Sequence, residues 1–182
     1  GAAIKGRDAL KVEWDDGANA GYDSVAYRKQ LEEAARKPGL VVRKEGDVDA
    51  ALKSADKVVT GEYYIPHLAH ASMEPPVAVA NVTGDKVEVW APVQSPGGTR
   101  EELAKTLGIP EDNVTVNVTL LGGGFGRKSK CDFVLEAALL SKAIGAPVKV
   151  QWTREDDIHH DFLHTVSVER IEAGLDKSGK VV

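Results

Sequence analysis

Residues 114–145, VTVNVTLLGGGFGRKSKCDFVLEAALLSKAIG, constrain the fold more than any other part of the chain. From Val114 to Leu120, apolar and polar side chains alternate, which is the pattern of a strand with one buried face. From Asp132 to Ile144 the residues are apolar almost all round, which predicts a buried helix capped by Asp132. A glycine loop joins the two elements. A loop between a strand and a helix is where α/β proteins present backbone amides to anions.

The other segments predict a mixture of helices and antiparallel strands. A capping-box pattern at 99–102 opens a helix that ends at Gly108, and a turn at 83–85 joins two strands into a hairpin. The remaining segments predict helices over 24–37, 47–56 and 154–161, and strands over 10–14, 39–46, 57–65, 147–152 and 165–173. This order favours the α+β class, with a two-layer α/β sandwich and a mixed, partly antiparallel sheet.

Composition limits the classes of function. The 182 residues carry a net charge of −5, which argues against a nucleic-acid binder. Cys131 is the single cysteine, so this chain alone holds no four-thiolate iron–sulfur cluster. No stretch approaches the roughly 20 apolar residues of a membrane span. The abrupt start and stop predict a piece of a longer polypeptide, and a composition break near 17–22 predicts a preceding tail or linker over 1–20 and a new domain over 21–182.

The glycine loop fails the two commonest phosphate-binding patterns. A dinucleotide fingerprint starting at Gly122 needs a glycine where Arg127 stands, and a P-loop needs a differently placed Gly-Lys-Ser. A plain tight turn and a non-catalytic loop that binds an anion or nucleotide remain open. Phe125 argues against the plain turn, because a ring between glycines cannot pack on its sequence neighbours. Gly124 and Gly126 would let the backbone approach a bulky ligand.

Four blocks of the sequence, in order, resemble the molybdenum hydroxylases, the family of xanthine oxidase and aldehyde oxidase. They are HLAHASMEPPVAVA, APVQSPGGTREELAKTLGIPEDNVTVNVTL, LLGGGFGRKSKCDF and VKVQWTREDDI. The sequences of the first and third blocks are most similar to those of large subunits of the isoquinoline 1-oxidoreductase type, which are bacterial aldehyde and N-heterocycle hydroxylases. The resemblance implies that residues 21–182 are the first part of a molybdopterin-binding domain.

The resemblance also implies roles for individual residues. Gln94 matches a glutamine that donates its amide to an oxygen ligand of molybdenum. The loop amides of the family contact the pterin and the apical side of the metal, which adds Gly123, Gly124, Phe125 and Gly126 as cofactor-binding residues. Arg127 is placed with them, although Arg127 and Lys128 are open between a cofactor phosphate and solvent. Ser129 stands where purine hydroxylases carry a substrate-binding glutamate, which favours an aldehyde or a neutral heterocycle.

The implied enzyme uses water as its oxygen source and a molybdenum–molybdopterin cofactor, in the cytosine dinucleotide form. Its electrons leave through iron–sulfur clusters on a small partner subunit. The general base of the family is a glutamate near the end of a much longer subunit, and no residue of this chain matches it. The resemblance therefore implies a fragment that is inactive by itself, with catalytic residues elsewhere. The chain itself does not indicate a location; a periplasmic one is expected for the parent protein, with a cytoplasmic one as the alternative.

Acidic and imidazole side chains outside the loop have structural interpretations. Glu74, before two prolines, is either a tuned acid or a turn cap, and the cap is preferred. His67 and His70 would ligate a metal only on a helix, which Pro66 disfavours. The cluster of His159, His160 and His164 lacks the glutamate of a metalloprotease motif and indicates a solvated or interface group.

Overall fold

The structure is a computed structural model that describes every residue from Gly1 to Val182. Its internal contacts divide the chain into two compact units, one of residues 1–65 and 167–182 and one of residues 66–166. Neither unit follows the predicted boundary between residues 20 and 21. That boundary stays a prediction for the longer protein.

The first unit is built on two long antiparallel strands that come from distant parts of the chain. Strand β1 (Lys57–Ile65) pairs with β6 (Ser167–Leu175) along its whole length. Three helices belong to the same unit, α1 (Ala2–Asp8), α2 (Ser24–Ala35) and α3 (Val48–Ser54), with a 3₁₀ turn at Gly17–Asn19. The side chain of Asp47 caps α3 by accepting from the amide of Ala50, as predicted.

Two predicted strands of the first unit are wrong. Residues 10–14 and 39–46 form no strand, and α1 was not predicted. Both segments have strand-like composition, but neither finds a pairing partner, since the sheet of this unit contains only the strands β1 and β6. Strand propensity expresses packing against neighbours more than an intrinsic backbone preference.

The second unit is a four-stranded mixed sheet in the order β4-β3-β2-β5, covered on one face by two helices. Its strands are β2 (Val77–Thr83), β3 (Lys86–Ala91), β4 (Val114–Val118) and β5 (Val148–Gln151). Its helices are α4 (Pro96–Leu107), α5 (Asp132–Ile144) and the short α6 (Arg154–His159), with 3₁₀ turns at Glu111–Asn113 and Arg127–Ser129. β3 and β4 are parallel, while the other pairs are antiparallel. The predicted α+β class and two-layer, mixed-sheet arrangement are confirmed.

The core of the second unit lies between the sheet and helices α4 and α5. Alternate residues of β2 and β3 are buried, as the period of a strand requires, and they meet apolar side chains of both helices. The core includes Ala78, Ala80, Val87, Val89, Ala91, Leu103, Leu107, Phe133, Val134 and Ala137. Burial of this single apolar layer holds β4 and α5, and therefore the loop between them, in fixed positions.

Both helix starts differ from the sequence prediction. α4 begins at Pro96, and Thr99 lies inside it, donating its hydroxyl to the carbonyl of Ser95. Asp132 is the first residue of α5 and makes no cap, because its carboxylate is bound by Arg127. The predicted all-round burial of α5 is also wrong. Only the face toward the sheet is covered, and Leu139, Leu140 and Ile144 are exposed.

No helix of the structure is both long enough and apolar enough to cross a membrane.

The thiol of the single cysteine should be unreactive in the folded chain. Cys131 is buried before α5, and removal from water raises the pKa of its thiol, although the Thr99 side chain opposes the shift. Because the thiolate is the reactive form, we expect alkylation at mildly alkaline pH to be roughly 100-fold slower than in urea-unfolded chain. Mass-spectrometric labelling in both states measures this ratio. Equal rates would contradict the burial of Cys131.

Candidate functional site

The glycine loop runs from the end of β4 at Val118 to the start of α5 at Asp132. Gly123 and Gly126 have φ values of 96° and 102°, in the left-handed region that favours glycine. Phe125 lies between them with a φ of 54°, and the residue is 73% exposed. A bulky residue with positive φ is strained, and such strain concentrates at functional sites. The loop therefore holds a large ring outward in a conformation that packing within this chain does not explain.

Gln94 lies directly against the loop. Its side-chain Oε1 accepts a hydrogen bond of 3.0 Å from the amide of Gly126. The backbone amide of Gln94 donates to the carbonyl of Lys128 at 2.9 Å. A Cβ at Gly124 would lie only 2.5 Å from Oε1, so glycine is required for this approach. With Oε1 engaged by the loop, the two N–H donors of Nε2 bind no group of this chain.

A buried ion pair lies at the base of the loop. Lys128 is 1% exposed, and its Nζ lies 2.6 Å from Oε2 of Glu74. The same oxygen accepts a hydrogen bond of 3.2 Å from Gly122, while the amide of Glu74 donates to the carbonyl of Gly122. Glu74 thus has the structural role that was preferred from the sequence. Its carboxylate binds both the amide of Gly122 and the ammonium group of Lys128.

Arg127 is neither in solvent nor turned toward an open anion site. It is 1% exposed, and its two terminal nitrogens bind the carboxylate of Asp132 at 2.9 and 2.8 Å. Its Nε lies 3.2 Å from Asp161, whose side chain is fully buried. The rings of Trp152 and Phe162 flank the guanidinium at 5.3 and 5.0 Å. Burial excludes the solvent alternative for this side chain, because two carboxylates neutralise it within the domain, while its predicted place among the cofactor-binding residues stays a prediction.

His70 joins the same network from another segment. Its Nδ1 lies 3.0 Å from both carboxylate oxygens of Asp161, and Oδ2 also accepts a hydrogen bond from the backbone amide of His70. Its Nε2 would lie 3.8 Å from a Cβ at Gly126. His67 contacts the carbonyl of His164, and no three histidine, cysteine or acidic side chains converge in a way that would hold a metal ion.

The structure places Gln94 in contact with Gly124 and Gly126 of the loop that also holds Gly123 and Phe125, and the cofactor-binding roles of these residues stay predictions. Sequence reasoning missed the partners that fix these residues, namely Lys128, Asp132, His70 and Asp161. The one available signal was the pair of adjacent cations, Arg127 and Lys128, after the last glycine. The structure buries both side chains.

We expect the loss of Arg127 alone to be strongly destabilising. Arg127→Met would leave the buried Asp161 carboxylate without its cation, which should lower the free energy of unfolding by about 3–5 kcal/mol. The double variant Arg127→Met/Asp161→Asn leaves no buried charge there and should recover much of the loss. Urea unfolding of both variants measures the difference. A single variant as stable as the unmodified chain would contradict this assignment.

Comparison with known proteins identifies the family of the chain. A family model described as the molybdopterin cofactor-binding domain matches residues 32–182. The chain belongs to this family of molybdenum hydroxylases. Its predicted resemblance and its fold, that of the molybdopterin-binding domain of the xanthine oxidase family, are thereby confirmed.

Individual relatives support the same assignment. The chain is 36% identical, over 99% of its length, to membrane-bound aldehyde dehydrogenase [pyrroloquinoline-quinone] of Gluconacetobacter polyoxogenes, covering 24% of that protein. It is 30% identical, over its whole length, to isoquinoline 1-oxidoreductase subunit beta of Brevundimonas diminuta, covering 26% of it. The crystal structure of quinoline 2-oxidoreductase from Pseudomonas putida 86 matches 75% of the chain and 18% of its own, with a TM-score of 0.65 at 27% identity. The chain therefore spans about a quarter of these curated relatives.

The residues present fit a molybdopterin cofactor. The glycine loop lies so close to Gln94 that a side chain at Gly124 would fill the gap, and Gln94 retains two unused N–H donors. Neutral donors of this kind suit oxygen ligands, and the loop adds backbone amides without side-chain bulk. The molybdenum hydroxylase domain needs no side-chain metal ligands from this chain, because its resemblance implies that the pterin holds the metal.

Proposed function

We propose that this chain forms part of the cofactor site of an oxidoreductase that hydroxylates aldehydes or N-heterocycles with water as the oxygen source. The observation that carries the proposal is the contact between Gln94 and the glycine loop, within a molybdopterin cofactor-binding domain. The cofactor, when bound, supplies the two-electron redox chemistry. The residues of this chain bind and orient it.

Gln94 and the loop have separate tasks in this proposal. The free N–H donors of Gln94 stabilise negative charge on an oxygen of the cofactor without adding a charge of their own. The amides between Gly123 and Gly126 approach the pterin, and Phe125 forms an apolar wall that excludes water from the reacting centre. Arg127 positions the start of α5 through its ion pair with Asp132, directly behind the loop.

The residue at position 129, just after the last glycine of the loop, supports the proposed substrate class. Ser129 is exposed and uncharged where a purine hydroxylase would carry a carboxylate, so purines lose a charged contact there. Aldehydes and neutral N-heterocycles need no such partner. The names of two relatives, an aldehyde dehydrogenase and an isoquinoline oxidoreductase subunit, agree with this class.

The parent protein would complete the enzyme with parts that lie outside this chain. These are a glutamate that serves as general base, the remaining half of the cofactor site, and iron–sulfur clusters on a small partner subunit that receive the electrons. We propose the cytosine dinucleotide form of the cofactor and a periplasmic location. The isolated chain should show no oxidase activity.

The proposal is tested with the full-length protein purified together with its partner subunits. Oxidation of an aromatic aldehyde and of isoquinoline is followed with an artificial electron acceptor in isotopically labelled water. We expect turnover of at least one substrate, with the label from water in the product. Turnover with the label from dioxygen, or no turnover of either substrate by the protein loaded with molybdenum, would contradict it.

A further inference from the structure

One carboxylate joins the two ends of the glycine loop. Oε2 of Glu74 contacts Nζ of Lys128 at 2.6 Å and the amide of Gly122 at 3.2 Å. Gly122 begins the glycine run, and Lys128 follows it in the next turn. The backbone of Glu74 adds a second bond to the loop, from its amide to the carbonyl of Gly122 at 3.0 Å. A Cβ at Gly122 would lie 2.5 Å from Cβ of Glu74, so the loop is in direct contact with this residue.

The stability of the fold does not account for this pair. The Lys128 side chain is fully buried, while that of Glu74 is 33% exposed. Removing an ammonium group from water costs several kcal/mol, and apolar residues of similar volume often replace a buried ion pair with no loss of stability. An ion pair retained in such a place fits a role in selecting one conformation of the loop.

The pair is connected to Gln94 through the backbone. The carbonyl of Lys128 accepts from the amide of Gln94 at 2.9 Å, and the amide of Gly126 donates to Oε1 of Gln94 at 3.0 Å. If Lys128 moves, both of these hydrogen bonds are disturbed. The direction of the free Nε2 donors therefore depends on the Glu74–Lys128 pair.

We propose that Glu74 and Lys128 are positioning residues that fix the glycine loop against Gln94. They touch neither substrate nor cofactor, and they act by holding the loop amides and the Gln94 side chain in one arrangement. This inference rests on the proposed function for what the loop binds, whereas the effect of the pair on loop order does not depend on that function.

Two double variants separate the effect of the Glu74–Lys128 charges from that of the hydrogen bond between Gly122 and Glu74. In both, Lys128→Met replaces the buried ammonium with an apolar chain of similar length. Glu74→Gln then retains an oxygen that accepts from Gly122, whereas Glu74→Leu does not. Neither variant leaves a buried unpaired charge, so both should fold. Glu74→Asp is a milder third variant, which keeps the charge but withdraws the carboxylate by one methylene group.

The measurements are made on the full-length protein with its partner subunits. Hydrogen–deuterium exchange of the peptide over residues 120–131 is recorded without cofactor, and kcat, KM and bound molybdenum are recorded for the loaded enzyme with an aromatic aldehyde. For the Glu74→Leu double variant we expect loop exchange to rise at least tenfold and kcat per molybdenum to fall roughly 10- to 100-fold, at a nearly unchanged KM. The Glu74→Gln double variant and Glu74→Asp should show smaller changes of the same sign.

Two results would overturn the inference. The first is loop exchange in the Glu74→Leu double variant and in Glu74→Asp that equals that of the unmodified protein. The second is increased exchange with an unchanged kcat per molybdenum. If the unmodified protein carries no molybdenum, the proposed function fails, and the exchange measurement still decides whether the pair orders the loop.

Discussion

Replacing Gln94 with glutamate should lower kcat of the full-length enzyme by about 10²- to 10³-fold, the cost of losing one donor aimed at developing negative charge. The change is nearly isosteric. A glutamate oxygen can still accept from the amide of Gly126, so the loop keeps its anchor. The two N–H donors of Nε2 disappear, and a carboxylate charge takes their place. The loss should therefore appear in turnover, with the loop still ordered.

The comparison variant is Gln151→Glu, which places the same substitution at an exposed position at the end of β5. Steady-state kinetics of both variants, normalised to bound molybdenum, measure the effect. We expect Gln151→Glu to retain kcat within about twofold, as surface substitutions usually have small effects. If Gln94→Glu behaved in the same way, the Nε2 donors would have no part in the reaction, and a plain anion-binding loop would describe the site better.

Gly124→Ala should lower kcat of the full-length enzyme strongly, with little effect on folding. A Cβ at this position would lie 2.5 Å from Oε1 and 2.7 Å from Cδ of Gln94. Both atoms belong to the end of a flexible side chain, which can swing away at low cost. The φ of Gly124 is outside the left-handed region, so the backbone itself accepts alanine. A displacement of about 1 Å at a reacting centre can cost about 10²-fold in kcat, and we expect a loss of that order.

Gly97→Ala is the matched control for this prediction. A Cβ at Gly97 meets nothing within 4 Å, and the residue lies in α4, where alanine is favoured over glycine. The midpoint of thermal unfolding should stay nearly constant for Gly124→Ala and stay or rise for Gly97→Ala, while kcat falls only in the former. Full activity of Gly124→Ala would contradict the close approach of the loop to Gln94.

The strand, loop and helix that form the site could be predicted because each carries a local signal. β4 alternates from Val114, the loop is rich in glycine, and α5 is an apolar helical run. The resemblance assigned Gln94 and the loop to one cofactor, but their direct contact was not predicted, since no local pattern relates residues so far apart. Local signals also misplaced the start of α4, where Thr99 and Glu102 match a capping box but Pro96 already lies in the helix.

The groups that hold the loop could not be predicted because they depend on contacts distant in sequence. Glu74 and Lys128 are 54 positions apart, and each looks like an ordinary surface residue in its own segment. Asp161 follows α6 and gives no sign of its burial beneath Arg127. Asp132 shows the same difficulty in another form, since its position indicates a helix cap but its carboxylate binds a guanidinium. Which partner such a carboxylate binds depends on contacts that exist only in the folded chain.

The cofactor content of the full-length protein, purified from its own host with its partner subunits, tests the central claim most directly. One relative is named for pyrroloquinoline quinone, whereas the family model that matches residues 32–182 describes molybdopterin. Elemental analysis for molybdenum and chromatographic analysis for both organic cofactors distinguish the two. We predict about one molybdenum and one pterin per chain, as one catalytic site requires. A protein from a host that makes molybdopterin, but without molybdenum and pterin, would contradict the account.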